Sequence, residues 1–154
     1  MCRRVIAAGW LNENNFGDKI TPDLLRHFGL RPVLTPFFAH ADVIGVGSIL
    51  ELVPADYHGA ILGAGFIRGG AARPLATARV VAVRGALTRS MLGLSDDLVM
   101  GDPGLLADGL YKHALGGGGE KKYELGVVPH YVDQAHPFIK ELLLHRCPEN
   151  TVIY

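Results

Sequence analysis

The sequence predicts an α/β fold organised on a parallel sheet that is covered on both faces. Three observations carry that expectation. Short, nearly continuous apolar runs recur along the chain and alternate with segments bearing helix signals, the pattern of strands buried on both faces. Glycine is abundant, 20 of 154 residues, without a Gly-X-Y period. The glycines fall at the ends of the apolar runs, where turns bring backbone close to something else. Hydrophobic residues make up 49% and charged residues 19% of the chain, a globular balance rather than a disordered one. A chain of this length makes one ordinary domain and buries roughly 70% of its unfolded surface.

Several classes are disfavoured at once. The formal net charge is zero, and lysine and arginine form no long run, so a nucleic-acid or anionic-membrane surface is not expected. Arg3-Arg4 is a pair rather than a patch. Cys2 and Cys147 lie near opposite ends, too few for the disulfide framework of a small secreted domain and without zinc spacing. The basic-then-apolar start is short and runs straight into Asn and Glu, unlike a signal peptide. No segment reaches the ~20 apolar residues of a transmembrane helix. The expected compartment is the cytoplasm.

Each element follows from local chemistry. Val5-Ile6-Ala7-Ala8, bounded by charge and Gly9, suits a buried strand over 3–8. The loop Asn15-Phe16-Gly17-Asp18 precedes Thr21, a natural N-cap, and Pro22, suited to a first helical turn. A helix over 22–28 is expected, with Gly29 as a left-handed stop. Residues 31–35 read as an edge strand, because Pro32 cannot donate to a ladder. Residues 42–47 form a strand ending in Gly-Val-Gly, with Ser48 placed to cap the next turn. Residues 59–65 repeat the design and end in Gly-Ala-Gly. The run 79–83 is the clearest strand, with Arg84-Gly85 at its end. A helix over 86–92 stops at Gly93. A short strand over 98–100 leads to Gly101-Asp102-Pro103, where Asp102 caps a helix over 104–111.

Residues 1–115 therefore read as one domain. The four glycines at 116–119 form a flexible joint, and Glu120-Lys121-Lys122 a solvated cluster after it, giving a linker over 116–122. Residues 123–154 then read as a βαβ unit: a strand over 123–128, a helix over 136–145 and a strand over 151–154. One βαβ unit buries its own faces poorly. It is expected either to pack on the first domain or to open a second, truncated one.

In parallel sheets ligands bind beyond the carboxyl ends of the strands. Five clusters are expected on that rim: residues 15–18, 45–48, 63–65, 84–88 and Asp102. The competing reading is that each is an ordinary turn between strand and helix. Asn15 and Asp18 are good turn formers, and Asp102 a good helix cap.

These residues, in this order, resemble the polysaccharide pyruvyl transferase family. The likeness rests on Asn15-Phe16-Gly17-Asp18, Gly45-Val46-Gly47-Ser48, Gly63-Ala64-Gly65, Arg84-Gly85-Ala86-Leu87-Thr88, Gly101-Asp102-Pro103 and Pro129-His130, and it spans nearly the whole chain. It implies two Rossmann-like domains facing a cleft, on the plan of many glycosyltransferases. It also implies transfer of pyruvate from phosphoenolpyruvate onto a sugar of an exopolysaccharide, or its lipid-linked precursor, to form a ketal. Family members run about as long again and carry a further donor-binding motif that this chain lacks.

Pyruvyl transfer needs a phosphate site, an acid for the enol carbon and a base for a sugar hydroxyl. Arg84 is the expected phosphate or carboxylate clamp, since guanidinium is planar and always charged. Gly85, Thr88, Ser48 and the helix start at Ala86 are expected with it at the donor phosphate, and Gly45, Gly47, Gly63 and Gly65 are expected to allow close backbone approach. Asp18 is the candidate to orient or deprotonate an acceptor hydroxyl, or to hold Arg84. His130 has the pKa range for acid–base work. Asn15, Gly17 and Asp102 are assigned to the acceptor or to loop structure. No metal and no cofactor are expected; phosphoenolpyruvate is the donor and a sugar or lipid-linked oligosaccharide the acceptor, with a membrane-surface substrate and self-association left open. The alternatives are a nucleotide-sugar glycosyltransferase on the same plan, and a non-catalytic domain that binds anions.

Overall fold

The computed structural model describes residues 3–9, 11, 16–112, 123, 125–145 and 151–153, with the side chains of Asp18, Tyr131, His145 and 151–153 outside the description. Asn15, both cysteines and the linker over 116–122 also lie outside the described residues. The chain divides into two compact units, Met1–Leu115 and Gly116–Tyr154.

The first unit is built on β1 (Arg4–Ala8), β2 (Arg31–Thr35), β3 (Val43–Ile44), β4 (Ala60–Leu62), β5 (Arg79–Val83) and β6 (Val99–Met100). They form one six-stranded sheet in the order β2-β1-β3-β4-β5-β6. Every pairing is parallel. With its helices this is an α/β sheet compatible with a Rossmann-like fold. The order reverses at β1, whose neighbours are β2 and β3, so the topological switch point lies at their carboxyl ends.

Side chains alternate between two cores, as the period-two geometry of a strand requires. Ala8, Ile44 and Ile61 enter a large core with Leu50, Val53, Tyr57, Phe66 and Leu92. Ala7 and Val43 face the other way, onto Leu25 of α1 (Phe16–His27), with Ala60 and Leu62 beside them. β5 departs from strict alternation. Ile61 pairs with Val80 but Leu62 pairs with Ala82, so Val81 is an extra residue, a β-bulge. Val80 and Val83 consequently both pack in the large core.

The helix α1 begins earlier than local signals predict. Thr21 and Pro22 lie inside it rather than at its start. The Thr21 hydroxyl, buried, accepts the Val46 N–H at 2.9 Å instead of capping its own helix. A tertiary hydrogen bond has overridden a local start signal. The stop is as expected: Gly29 has φ +76°, Gly29 N–H bonds the Arg26 carbonyl and Leu30 N–H the Leu25 carbonyl, a Schellman pair.

The helix α2 (Ala86–Leu92) ends in the same motif at Gly93, φ 66°. Asp102 accepts the Gly104 N–H at 2.8 Å. It caps a 3-10 turn over Pro103–Leu106 that leads into α3 (Ala107–Tyr111), shorter than the helix expected from residue 104. α3 packs on α1 through Ile20, Leu24, Ala107 and Leu110. Between β3 and β5 the chain forms only the 3-10 turn Leu50–Leu52 and the strand β4. Residues 63–78 contain no helix.

In the second unit β7 (Leu125–Val127) pairs in parallel with β8 (Thr151–Ile153). The helix α4 (Pro137–His145) lies between them in sequence. Ile139 is buried, whereas Phe138, Leu143 and Leu144 are exposed.

Candidate functional site

Four of the five expected clusters follow the carboxyl ends of consecutive sheet strands: residues 45–48 after β3, 63–65 after β4, 84–88 after β5 and 101–102 after β6. They are stitched together by backbone. Gly65 N–H bonds the Gly47 carbonyl at 3.0 Å, Arg84 N–H the Ala64 carbonyl at 3.1 Å, and Gly101 N–H the Val83 carbonyl at 2.9 Å.

Two of the glycines are required by close approach. Gly63 has φ +88°, and a Cβ there would lie 2.3 Å from Pro103 Cδ. A Cβ on Gly65 would lie 2.9 Å from Arg84 Nε and 3.1 Å from Thr88 Oγ1. Gly65 therefore makes room for the arginine that the next strand delivers.

Arg84 is half-buried at the end of β5. One guanidinium nitrogen donates to Ser48 Oγ and the other terminal nitrogen to the Phe66 carbonyl at 3.0 Å. Thr88, buried, accepts the Phe66 N–H at 3.2 Å. The Ser48 and Thr88 hydroxyls thus serve the loops around Arg84. Beside them lies a hollow of about 350 Å³, lined by Phe66 to Gly69, by Arg84 to Thr88 and by Met91. Two arginines, Arg68 and Arg84, line it, with no acidic side chain among the described lining residues.

Arg68 was not singled out by sequence reasoning. Its signal is a cation three residues beyond the Gly63-Ala64-Gly65 strand end. Glu51 was missed as well. Its Oε1 accepts both the Ile67 N–H at 2.6 Å and the Arg68 N–H at 3.2 Å.

Of the other expected residues of the first unit, Gly17, Gly47 and Asp102 are not among those lining this hollow. Gly17 and Asp18 lie in the opening turn of α1, and Thr21, one turn on, ties that helix to the strand end at Val46. Asp102 is occupied as a cap. His130 belongs to the second unit, where its Nδ1 accepts the Val132 N–H at 3.4 Å at the start of a 3-10 turn.

A larger hollow of about 450 Å³ lies beyond the ends of β1 and β2. Its lining includes Gly9, Pro36, Phe37, His40, Leu52 and Pro54. None of the expected site residues is among its described lining. It adjoins the switch point, and rings make up most of its walls.

Among the described residues no three His, Cys, Asp or Glu side chains gather to hold a metal ion. No described helix is long and apolar enough to cross a membrane. Comparison with family models, with curated proteins and with solved structures finds no match in any of the three.

Proposed function

We propose that the chain carries the anion-binding part of a pyruvyl transferase, acting on phosphoenolpyruvate and a sugar diol, within a two-domain plan like that of glycosyltransferases. One observation carries the reading: β5 delivers Arg84 to the carboxyl rim, beside a second arginine, in a hollow free of described acids. The ordered set of motifs from Asn15 to His130 supplies the reaction class.

In that reaction C2 of the donor forms two C–O bonds to the sugar oxygens while its bond to the phosphate oxygen breaks. One hydroxyl proton goes to the enol methylene, which becomes the ketal methyl. The other leaves with the phosphate. Negative charge builds on the departing phosphate, and a fixed guanidinium is suited to stabilise it. Arg84 fills that role. Its bonds to Ser48 and Phe66 fix the plane of the fork before any ligand arrives. Asp18 is assigned to the acceptor hydroxyl and His130 to proton transfer.

The test is phosphate release from phosphoenolpyruvate with and without sugar diols. Release that requires the diol and disappears in Arg84→Ala supports the reading. Release without acceptor, or none with any acceptor, rejects it. The ring-lined hollow at the switch point favours a second reading, a nucleotide-sugar glycosyltransferase. Thermal stabilisation by a nucleoside diphosphate but not by phosphoenolpyruvate would select that one.

A further inference from the structure

The segment Phe66–Arg68 has no helix or strand to hold it, yet each of its N–H groups and the Phe66 carbonyl are bonded to side chains. Arg84 takes the Phe66 carbonyl, Thr88 takes the Phe66 N–H, and Glu51 takes the next two N–H groups. Two successive amides pointing at one oxygen form a small nest that suits an anion, and here the protein's own carboxylate fills it. The consequence is positional. Arg68 leaves the backbone at the residue Glu51 clamps, and Arg68 lines the hollow.

We infer that Glu51 is a positioning residue for a two-arginine site: by clamping the Ile67 and Arg68 amides it holds Arg68 opposite a phosphate-sized dianion shared with Arg84. The inference rests on the anion reading above and adds the second cation and the residue that places it. It also carries an unusual sign. Coulomb's law alone makes an acid near an anion site unfavourable to the anion. Removing Glu51 would then tighten binding. A positioning role predicts the reverse, because freeing the turn returns Arg68 to many rotamers and the ordering cost falls on the ligand.

The experiment is calorimetric titration of the 154-residue chain with inorganic phosphate. Arg68→Gln is expected to weaken binding about tenfold, the loss of one charge-assisted contact. Glu51→Ala is expected to weaken it to a similar extent. The double variant is expected to lose no more than either single one, since both act through Arg68. Glu51→Gln keeps an amide oxygen for the two N–H groups and is expected to bind phosphate as tightly as the parent or more tightly. Glu51 and Arg68 are both exposed, so these substitutions leave the core intact.

Binding that is unchanged or tighter in Glu51→Ala overturns the inference, as do losses that simply add in the double variant. Phosphate that fails to bind the parent removes the anion site altogether. Diol-dependent turnover of phosphoenolpyruvate in the parent, together with undiminished phosphate binding in Glu51→Ala, removes this inference and leaves the transferase reading standing.

Discussion

One side of the six-stranded sheet is closed by α1 and α3, the other largely by 3-10 turns and the helix-free stretch over 63–78, with α2 at its end. The helical side needs few polar devices. A helix satisfies its own backbone, so Leu24, Leu25 and Ile20 close it by burial alone. The loop side has backbone groups that no neighbouring residue satisfies. There the side chains do it. Arg73 donates to the Leu50 carbonyl at 3.0 Å and the Val53 carbonyl at 2.8 Å. Thr77 donates to the Tyr57 carbonyl at 2.8 Å. Arg84, Thr88 and Glu51 do the same around Phe66. The difference teaches why the candidate site lies where it does: the face built mainly from loops has already gathered the fixed donors.

The largest effect should be indifferent to this contrast. Leu50 is fully buried on the loop side, and Leu50→Ala should cost about 2–5 kcal/mol, as large core truncations do. Leu25→Ala should fall in the same range. Urea denaturation of both variants checks this, and a loop-side variant that is far cheaper would mean the loop side is not a true core.

The contrast itself is broken by Arg73→Met, which keeps the apolar stem and removes the donors. It should cost about 1–3 kcal/mol, chiefly from the Val53 carbonyl left unpaired. The Leu50 carbonyl retains its bond from Val53 N–H. An unchanged unfolding midpoint would show that water replaces the guanidinium and that the loop side is not held in this way.

Thr21→Val and Thr88→Val sharpen it further, at about 1–2 kcal/mol each. Both hydroxyls are buried and each accepts one backbone N–H. Thr21 is an exception on the helical side, a place where α1 satisfies a strand end. If Thr21→Val is neutral while Thr88→Val is costly, the α1 side relies on burial even there.

The smallest effect is at Tyr111, whose hydroxyl donates to Asp23 at 2.6 Å. Tyr111→Phe should cost about 1 kcal/mol or less. Burial first, and then the Asp23 carboxylate, push the Tyr111 phenol from 10.0 up to about 12. The native state therefore holds this proton more tightly than the unfolded chain. The stabilisation is complete below pH 10 and is lost as pH rises towards about 12. Melting temperatures of parent and Tyr111→Phe should converge across that window.

Legibility in the sequence followed how local each cause is. Gly29 and Gly93 as helix stops and Asp102 as a cap are set by neighbours within a few residues, and their types reveal them. The start of α1 was misread because Thr21 is used by Val46, 25 positions away. The Arg73 and Glu51 side chains bond to backbone more than 15 residues distant, the Arg68 N–H included, and such contacts leave no spacing to read. Arg84 was legible through its motif. Its partners Ser48 and Phe66 come from two other strand ends, and only Ser48 was on the expected rim.

The extra residue in β5 has a directional consequence. Side chains change sides at every step along a strand, so in a regular strand one added residue would turn over everything after it. The bulge absorbs Val81 instead: Ala82 and Val83 keep the faces that pairing with Leu62 and Met100 sets, and Val83 stays in the large core. A chain lacking Val81 would lose the kink and keep those faces, so Arg84 would still leave the sheet on its present side. One valine thus works as slack in the strand, a surplus length taken up locally so that the heading of the guanidinium is preserved.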